Sequence, residues 1–238
     1  MGPSGAGKTS FIRAGAIPAT PPGWGIVRST PGSAALASLR SALTPELTGD
    51  TAALQALMAE PGNPDVIVAA VASWRHGHDG ALLIVDQFEE LFTLGSADDV
   101  RRFSDLMGRL ALEADVFVLL SMRDDFLIRC REHEALAPVF SDLTALLAPT
   151  GAALRRTVVQ PATKCGYRFE DDELVEEMLS EVEGERGALP KLAFAVAPLW
   201  AKRDTEKKEL TRSAHHALRG VSGAVAQHAE STLPPLGR

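Results

Sequence analysis

Lys8 and Thr9 close the stretch Gly2-Pro3-Ser4-Gly5-Ala6-Gly7-Lys8-Thr9, which has the spacing G-x-x-x-x-G-K-[ST] of a phosphate-binding loop. Glycines at 2, 5 and 7 let backbone N–H groups converge on phosphate oxygens with no Cβ in the way. In that pattern Lys8 neutralises charge on the outer phosphates and the Thr9 hydroxyl ligates Mg2+. Ser10 carries the loop into a helix whose positive end faces the same oxygens. A phosphate loop also needs an acidic partner for the metal, at the carboxyl end of a neighbouring parallel strand. "LLIVD" supplies Asp86 for that place, and Glu89 and Glu90 follow it closely. Either glutamate could polarise an attacking water, with Glu90 the first choice. The alternative is a solvated acidic first turn favoured by the helix dipole. "VFVLLSMRDDF" delivers Arg123 to the same edge, where a guanidinium could read the presence of a γ-phosphate. Its alternative is an ion pair with Asp124 or Asp125.

The segments that must hold these residues alternate in character. "TSFIRAGAI" reads as a short helix ended by Pro18, and "WGIVRS" as a strand between Pro-Gly pairs. Leu36, Leu39 and Leu43 keep helical spacing, and residues 44–80 read as two further short helices separated by "PGNPD". "ALLIVD" and "VFVLLS" have the profile of strands buried on both faces, while Val100, Phe103, Met107 and Leu110 mark an amphipathic helix between them. "DLTALL" reads as a weaker third strand, followed by a helix from about Thr150 that Pro161 should stop. This alternation predicts an α/β fold, a parallel sheet with helices on both faces. Past about 165 no strand pattern remains, and "DDELVEEMLSEV" and "LPKLAFAVAPLW" read as apolar-faced helices. A boundary is expected near 160–170.

Composition narrows the partners. A 238-residue chain with net charge −7 argues against nucleic acid as the main partner. Cys130 and Cys165 lie far apart with no metal-like spacing, which favours free thiols in a reducing compartment; cytoplasm is the default. No apolar run is long enough to span a bilayer, and the N-terminal residues lack the pattern of a secretory leader. "HGHD" at His76 and "CREH" at Cys130 read as a surface loop and a helix end rather than metal sites. Trp24, Trp74 and Trp200 read as core or interface residues.

Taken in order, "GPSGAGKTS", "LLIVDQFEELFTL", "LLSMRDDFL", "QPA", "GALPKLAFAVAPLW" and "LTRSAHHALRGVSGAVAQHAES" resemble the STAND class of signalling ATPases, specifically the novel STAND NTPase 1 group. The resemblance covers essentially the whole chain. It implies an AAA-like P-loop NTPase core at 1–165, a small helical lid at 166–205 and the start of a winged-helix module at 206–238. It further implies a nucleotide switch that rests with ADP, binds ATP with Mg2+, hydrolyses it slowly and self-associates in the ATP state. Residues Gly2 to Thr9 match its Walker A element, Asp86 with Glu89 and Glu90 its Walker B element, and Arg123 its sensor-like arginine. A lid G-x-P element that approaches the nucleotide is matched only at Pro190, because "GALPKL" has one extra residue between Gly187 and Pro190.

Two departures from the family pattern bear on these expectations. The family has a first strand, central in the sheet beside "VFVLLS", and Met1 stands where its last apolar residue would be. A late-placed start or a truncated gene is therefore expected, and a native N-terminal peptide beginning at Met1 or Gly2 would refute the late start. At the other end "STLPPLGR" stops as the winged-helix module begins, without sensor or effector repeats. His215, His216 and His228 are therefore not assigned the β-phosphate-sensing role of that module. A GTPase is disfavoured because "ATKCGY" has Gly166 where a base-reading acid belongs. A small-molecule kinase would need lid arginines, for which Arg155 and Arg156 are poor candidates. A non-hydrolysing nucleotide-binding scaffold is the remaining alternative.

Overall fold

The computed structural model describes residues 1–140, 142–185 and 187–223. The chain divides into two compact units: Met1–Pro3 with Lys8–Leu146, and Ser4–Gly7 with the residues from Leu147 onward.

In chain order the first unit contains α1 (Lys8–Phe11), β1 (Trp24–Ser29), α2 (Ala35–Leu43), α3 (Thr51–Ala59), α4 (Pro64–His76), β2 (Gly80–Val85), α5 (Glu90–Leu94), α6 (Ala97–Glu113), β3 (Phe117–Leu120) and α7 (Leu127–Arg131). A π-helical turn, Ile12–Ala16, prolongs α1. The strands form a parallel sheet in the order β1-β2-β3, in register from Trp24↔Gly80 to Ser29↔Val85 and from Leu82↔Phe117 to Val85↔Leu120. β1 alternates buried and half-buried residues, while the central β2 is buried almost throughout, as the apolar run "ALLIV" requires. α6 starts on a capping box in which the Ser96 side chain accepts from Asp99 N–H and the Asp99 carboxylate accepts from Ser96 N–H. It buries Val100, Phe103, Leu106, Met107 and Leu110. Gly108 in the same helix has no room for a Cβ, which would run into the carbonyl of Ala135.

β3 departs from the expectation of a strand buried on both faces: Phe117 is 65% exposed. Among the described residues only β2 pairs with β3 as a strand. "DLTALL" is not a strand either. Among the described residues its ladder-like bonds go to a single residue, with the Met1 ammonium donating to Thr144 O at 2.8 Å and Leu146 N–H to Met1 O at 2.7 Å. Gly2 N–H donates to Met122 O at 3.2 Å, so Met1 and Gly2 bridge the end of β3 and residues 144–146. Beside β3 lies a groove of about 640 Å³ lined by, among others, Phe11, Ile12, Val118, Leu120, Val139 and Leu143.

The second unit contains α8 (Gly151–Lys164), β4 (Arg168–Phe169), α9 (Asp172–Ser180), α10 (Ala188–Ala201), β5 (Glu209–Leu210) and α11 (Arg212–Ala217). Leu154, Val158, Ala162, Leu174, Val175, Met178, Leu192 and Leu199 share its core. α8 runs through Pro161, where a stop was expected. Only one turn remains beyond the proline, Val158 and Ala162 are anchored in the core, and Cys165 N–H donates to Pro161 O and Ala162 O. Strands also continue past 165: β4 and β5 pair in parallel, but two residues each give no readable alternation. The units part at Leu146–Leu147, ahead of the expected 160–170, because the buried face of α8 belongs to the second core. Residues 224–238, including His228 and the end of the expected winged-helix module, lie outside the described residues. Among the described residues no helix is long and apolar enough to cross a membrane.

Candidate nucleotide site

Gly5 and Gly7 take φ of 77° and 86°, the left-handed region that a side chain resists. A Cβ on Gly2 would meet the carbonyl oxygen of Leu146. The sequence therefore folds here into a tight, backbone-lined loop. Lys8 turns its ammonium back over the loop and donates to Gly2 O at 2.8 Å and Pro3 O at 3.0 Å. An ammonium has three donors, so these two bonds leave one over. Thr9 is half-buried in the first turn of α1, Ala6 is buried, and Pro3, Ser4 and Ser10 are exposed. Within the unit that includes Ser4–Gly7, a Cβ built on Gly5 would come 3.1 Å from Pro190 Cγ. Pro190, in the first turn of α10, thus stands against Gly5, and Leu189 against Gly7.

Asp86 follows the last residue of β2 and is 1% exposed. Its Oδ1 accepts from Gln87 N–H at 3.0 Å and its Oδ2 from Arg28 Nη2 at 3.2 Å. Gln87 adopts φ 55°, a strained position for a residue with a side chain, of a kind that clusters at functional sites. On the flanking strand ends the hydroxyls of Ser29 and Ser121 are buried without a hydrogen-bond partner among the described residues, as is Arg28 Nε. Arg28 escaped the sequence reading. The signal for it was a cation near the end of "WGIVRS", but its pairing with Asp86 depends on a strand register that spacing does not reveal.

The two glutamates part company. Glu89 Oε2 accepts from Arg123 N–H at 3.3 Å, and Glu90 Oε2 from Gly32 N–H at 3.1 Å, beyond β1. Because Gly2 is fastened to Met122, a continuous run of bonds links Lys8, Gly2, the end of β3 and Glu89. Glu90 stands on the other side, held by the loop after β1. The Arg123 guanidinium is bidentate on Asp125, at 3.0 and 2.5 Å, and lies 5.5 Å from the Phe126 ring centroid. Asp125 raises its pKa, so the ion-pair alternative is the arrangement adopted here. Cys130 is buried, and burial, aided by Glu89, pushes its thiol up to about 12. His76 and His78 bond back to Ala72 O and Trp74 O at the end of α4, while Trp74 packs in the core.

The sequence profile of the novel STAND NTPase 1 family matches residues 1–237. The chain belongs to this family. No curated protein matches it. Among solved structures, the Aeropyrum pernix ORC2 protein in its ADPNP-ADP complexes is similar with a TM-score of 0.61 and 15% identity, covering 98% of this chain and 62% of that one. Its ADP form gives 0.58 and 19%, covering 98% and 63%. This member of the novel STAND NTPase 1 family thus has the fold of an ORC-type P-loop NTPase while spanning less than two thirds of the ORC2 chain.

Proposed function

We propose that this chain is the nucleotide-binding domain of a STAND-type switch, taking ADP and ATP with Mg2+ and hydrolysing ATP slowly. The reading rests on one observation: the Lys8 ammonium is held over its own loop with a donor to spare, and that loop is fastened to the strand end whose N–H holds Glu89. The ORC2 structures of the same fold are ADPNP-ADP complexes and an ADP form, and family membership points the same way.

Gly2 to Ser10 would cradle the phosphates, with Lys8 on the outer ones. Thr9 and Asp86 would hold Mg2+, which neutralises phosphate charge when bound. The unpartnered hydroxyls of Ser29 and Ser121 beside Asp86 fit a hydrated cation there, since each can accept from a coordinated water. Glu89, on the loop side of the site, is the better candidate than Glu90 to orient water. As the water oxygen bonds to the γ-phosphorus, the bond to the β–γ bridging oxygen breaks and Glu89 takes the proton. Arg123 would leave Asp125 for the γ-phosphate, and Pro190 would report the nucleotide to the helical segment. Residues 206–238 as the start of a winged-helix module, a cytoplasmic setting and self-association in the ATP state complete the proposal.

A second reading has its own support. Both Asp86 oxygens are engaged by the protein and the Arg123 fork is closed on Asp125, which suits a scaffold that binds nucleotide without hydrolysing it. Steady-state ATP hydrolysis separates the two. Turnover in the parent protein that is lost in Lys8→Ala and in Asp86→Asn supports the ATPase. Full activity in both variants would remove it, and ADP binding without turnover in the parent would leave the scaffold.

A further inference from the structure

The end of α9 and the whole of α11 gather polar groups that the nucleotide site does not use. His215 on α11 is 1% exposed, and neither of its ring nitrogens has a hydrogen-bond partner among the described residues. Around it stand Glu177 on α9, Glu181 just beyond α9, and His216. Glu177 divides its oxygens. Oε2 accepts from Arg212 Nη1 at 2.6 Å, while Oε1 lies 3.7 Å from His215 Nδ1 and 3.3 Å from His216 Nε2. Two ligands about 2.0–2.2 Å from a tetrahedral Zn2+ stand about 3.3–3.6 Å from each other. The two glutamate–imidazole distances are close to this spacing, and Glu177, His215 and His216 each offer a ligand atom within 4.8 Å of the others.

The far side of His215 supplies the orientation. Its Nε2 faces Glu181 Oε1 at 3.6 Å, and Glu181 Oε2 is fixed by Val221 N–H at 2.9 Å. A proton on Nε2 directed at Glu181 leaves the Nδ1 lone pair turned toward Glu177, the carboxylate–histidine arrangement that tunes metal ligands. Gly220, at φ 72°, makes the turn that brings Val221 to Glu181, and a Cβ there would meet that carboxylate.

We propose that Glu177 Oε1, His215 Nδ1 and His216 Nε2 form a divalent metal site of the Zn2+ class that ties α9 to α11, with water completing the tetrahedron. Two imidazoles and one carboxylate suit Zn2+ and disfavour Mg2+ and Ca2+, which take oxygen ligands.

The full chain, stripped with chelator and free of nucleotide, would be titrated with Zn2+ and with Co2+, reading the melting temperature, the stoichiometry and the visible Co2+ spectrum. One ion per chain, a saturable rise in melting temperature and tetrahedral Co2+ bands are expected. His216→Ala, at an exposed position, should abolish stoichiometric binding; Glu181→Gln should weaken it about 10–100-fold. Lys8→Ala should leave it intact, which separates this site from the nucleotide site. No metal-dependent shift in the parent chain, or unchanged binding in both His216→Ala and Glu177→Gln, would overturn the proposal.

Discussion

Asp86 in the first unit and His215 in the second are equally buried, yet they are treated in opposite ways. Both oxygens of Asp86 are bonded within the protein, one by Arg28 and one by the following N–H. Neither nitrogen of His215 has a hydrogen-bond partner among the described residues. A buried charge is costly unless paired, so the chain supplies Asp86 with a cation that a bound metal would have to share. The imidazole, which can be neutral, tolerates an incomplete shell and so keeps a lone pair available. The contrast teaches that a satisfied buried acid argues for function only through its neighbours, whereas a buried base without a partner among the described residues keeps a lone pair that a ligand could take.

The largest effects should come from the acid's neighbours. If Glu89 orients water, Glu89→Gln should lower ATP turnover about 10²–10⁴-fold, while Glu90→Gln, whose carboxylate holds Gly32 N–H, should have a much smaller effect. The reverse order would return the role to Glu90. Arg28→Ala should destabilise the nucleotide-free protein by about 3 kcal/mol in chemical denaturation, because it strands a carboxylate that is 1% exposed. Saturating Mg2+ and nucleotide should recover part of that loss. His215→Leu should do the opposite, raising the stability of the metal-free protein by about 1 kcal/mol by removing unpaired nitrogens. A large loss instead would mean that the imidazole is already held by Glu177 and Glu181.

The smallest effect is one of pH. Asp171 caps α9, and its carboxyl is held below the usual value first by the Leu174 N–H and then by Arg212. A lowered folded pKa means that the ionised cap stabilises α9 above the unfolded pKa of about 4, and that this contribution fades as pH falls through the folded value. Asp171→Asn should flatten the acid limb of the melting curve in that window.

The two sites also differ in how far spacing alone betrays them. As candidates, the phosphate loop stood out by its own glycine spacing and Asp86, Glu89 and Arg123 by their fixed offsets from short apolar strands, and β2 and α6 formed where their patterns required. Illegible were groups joined only by register or by tertiary packing. Arg28 meets Asp86 because β1 and β2 pair in one register among several, and Glu177 meets His215 across most of the second unit. "DLTALL" misled because an apolar run becomes a strand only when a partner strand lies beside it. Pro161 misled because a proline near a helix end removes a single bond.

The most direct test of the nucleotide site is a thermal melt with Mg2+ and ADP, ATP or GTP, run beside Lys8→Ala. A ligand at a hundred times its Kd adds about 2.7 kcal/mol to stability. The account predicts a clear rise in melting temperature with ADP and ATP, little with GTP, and none in Lys8→Ala. A cooperative melt that no nucleotide shifts, or a shift that survives in Lys8→Ala, would contradict it.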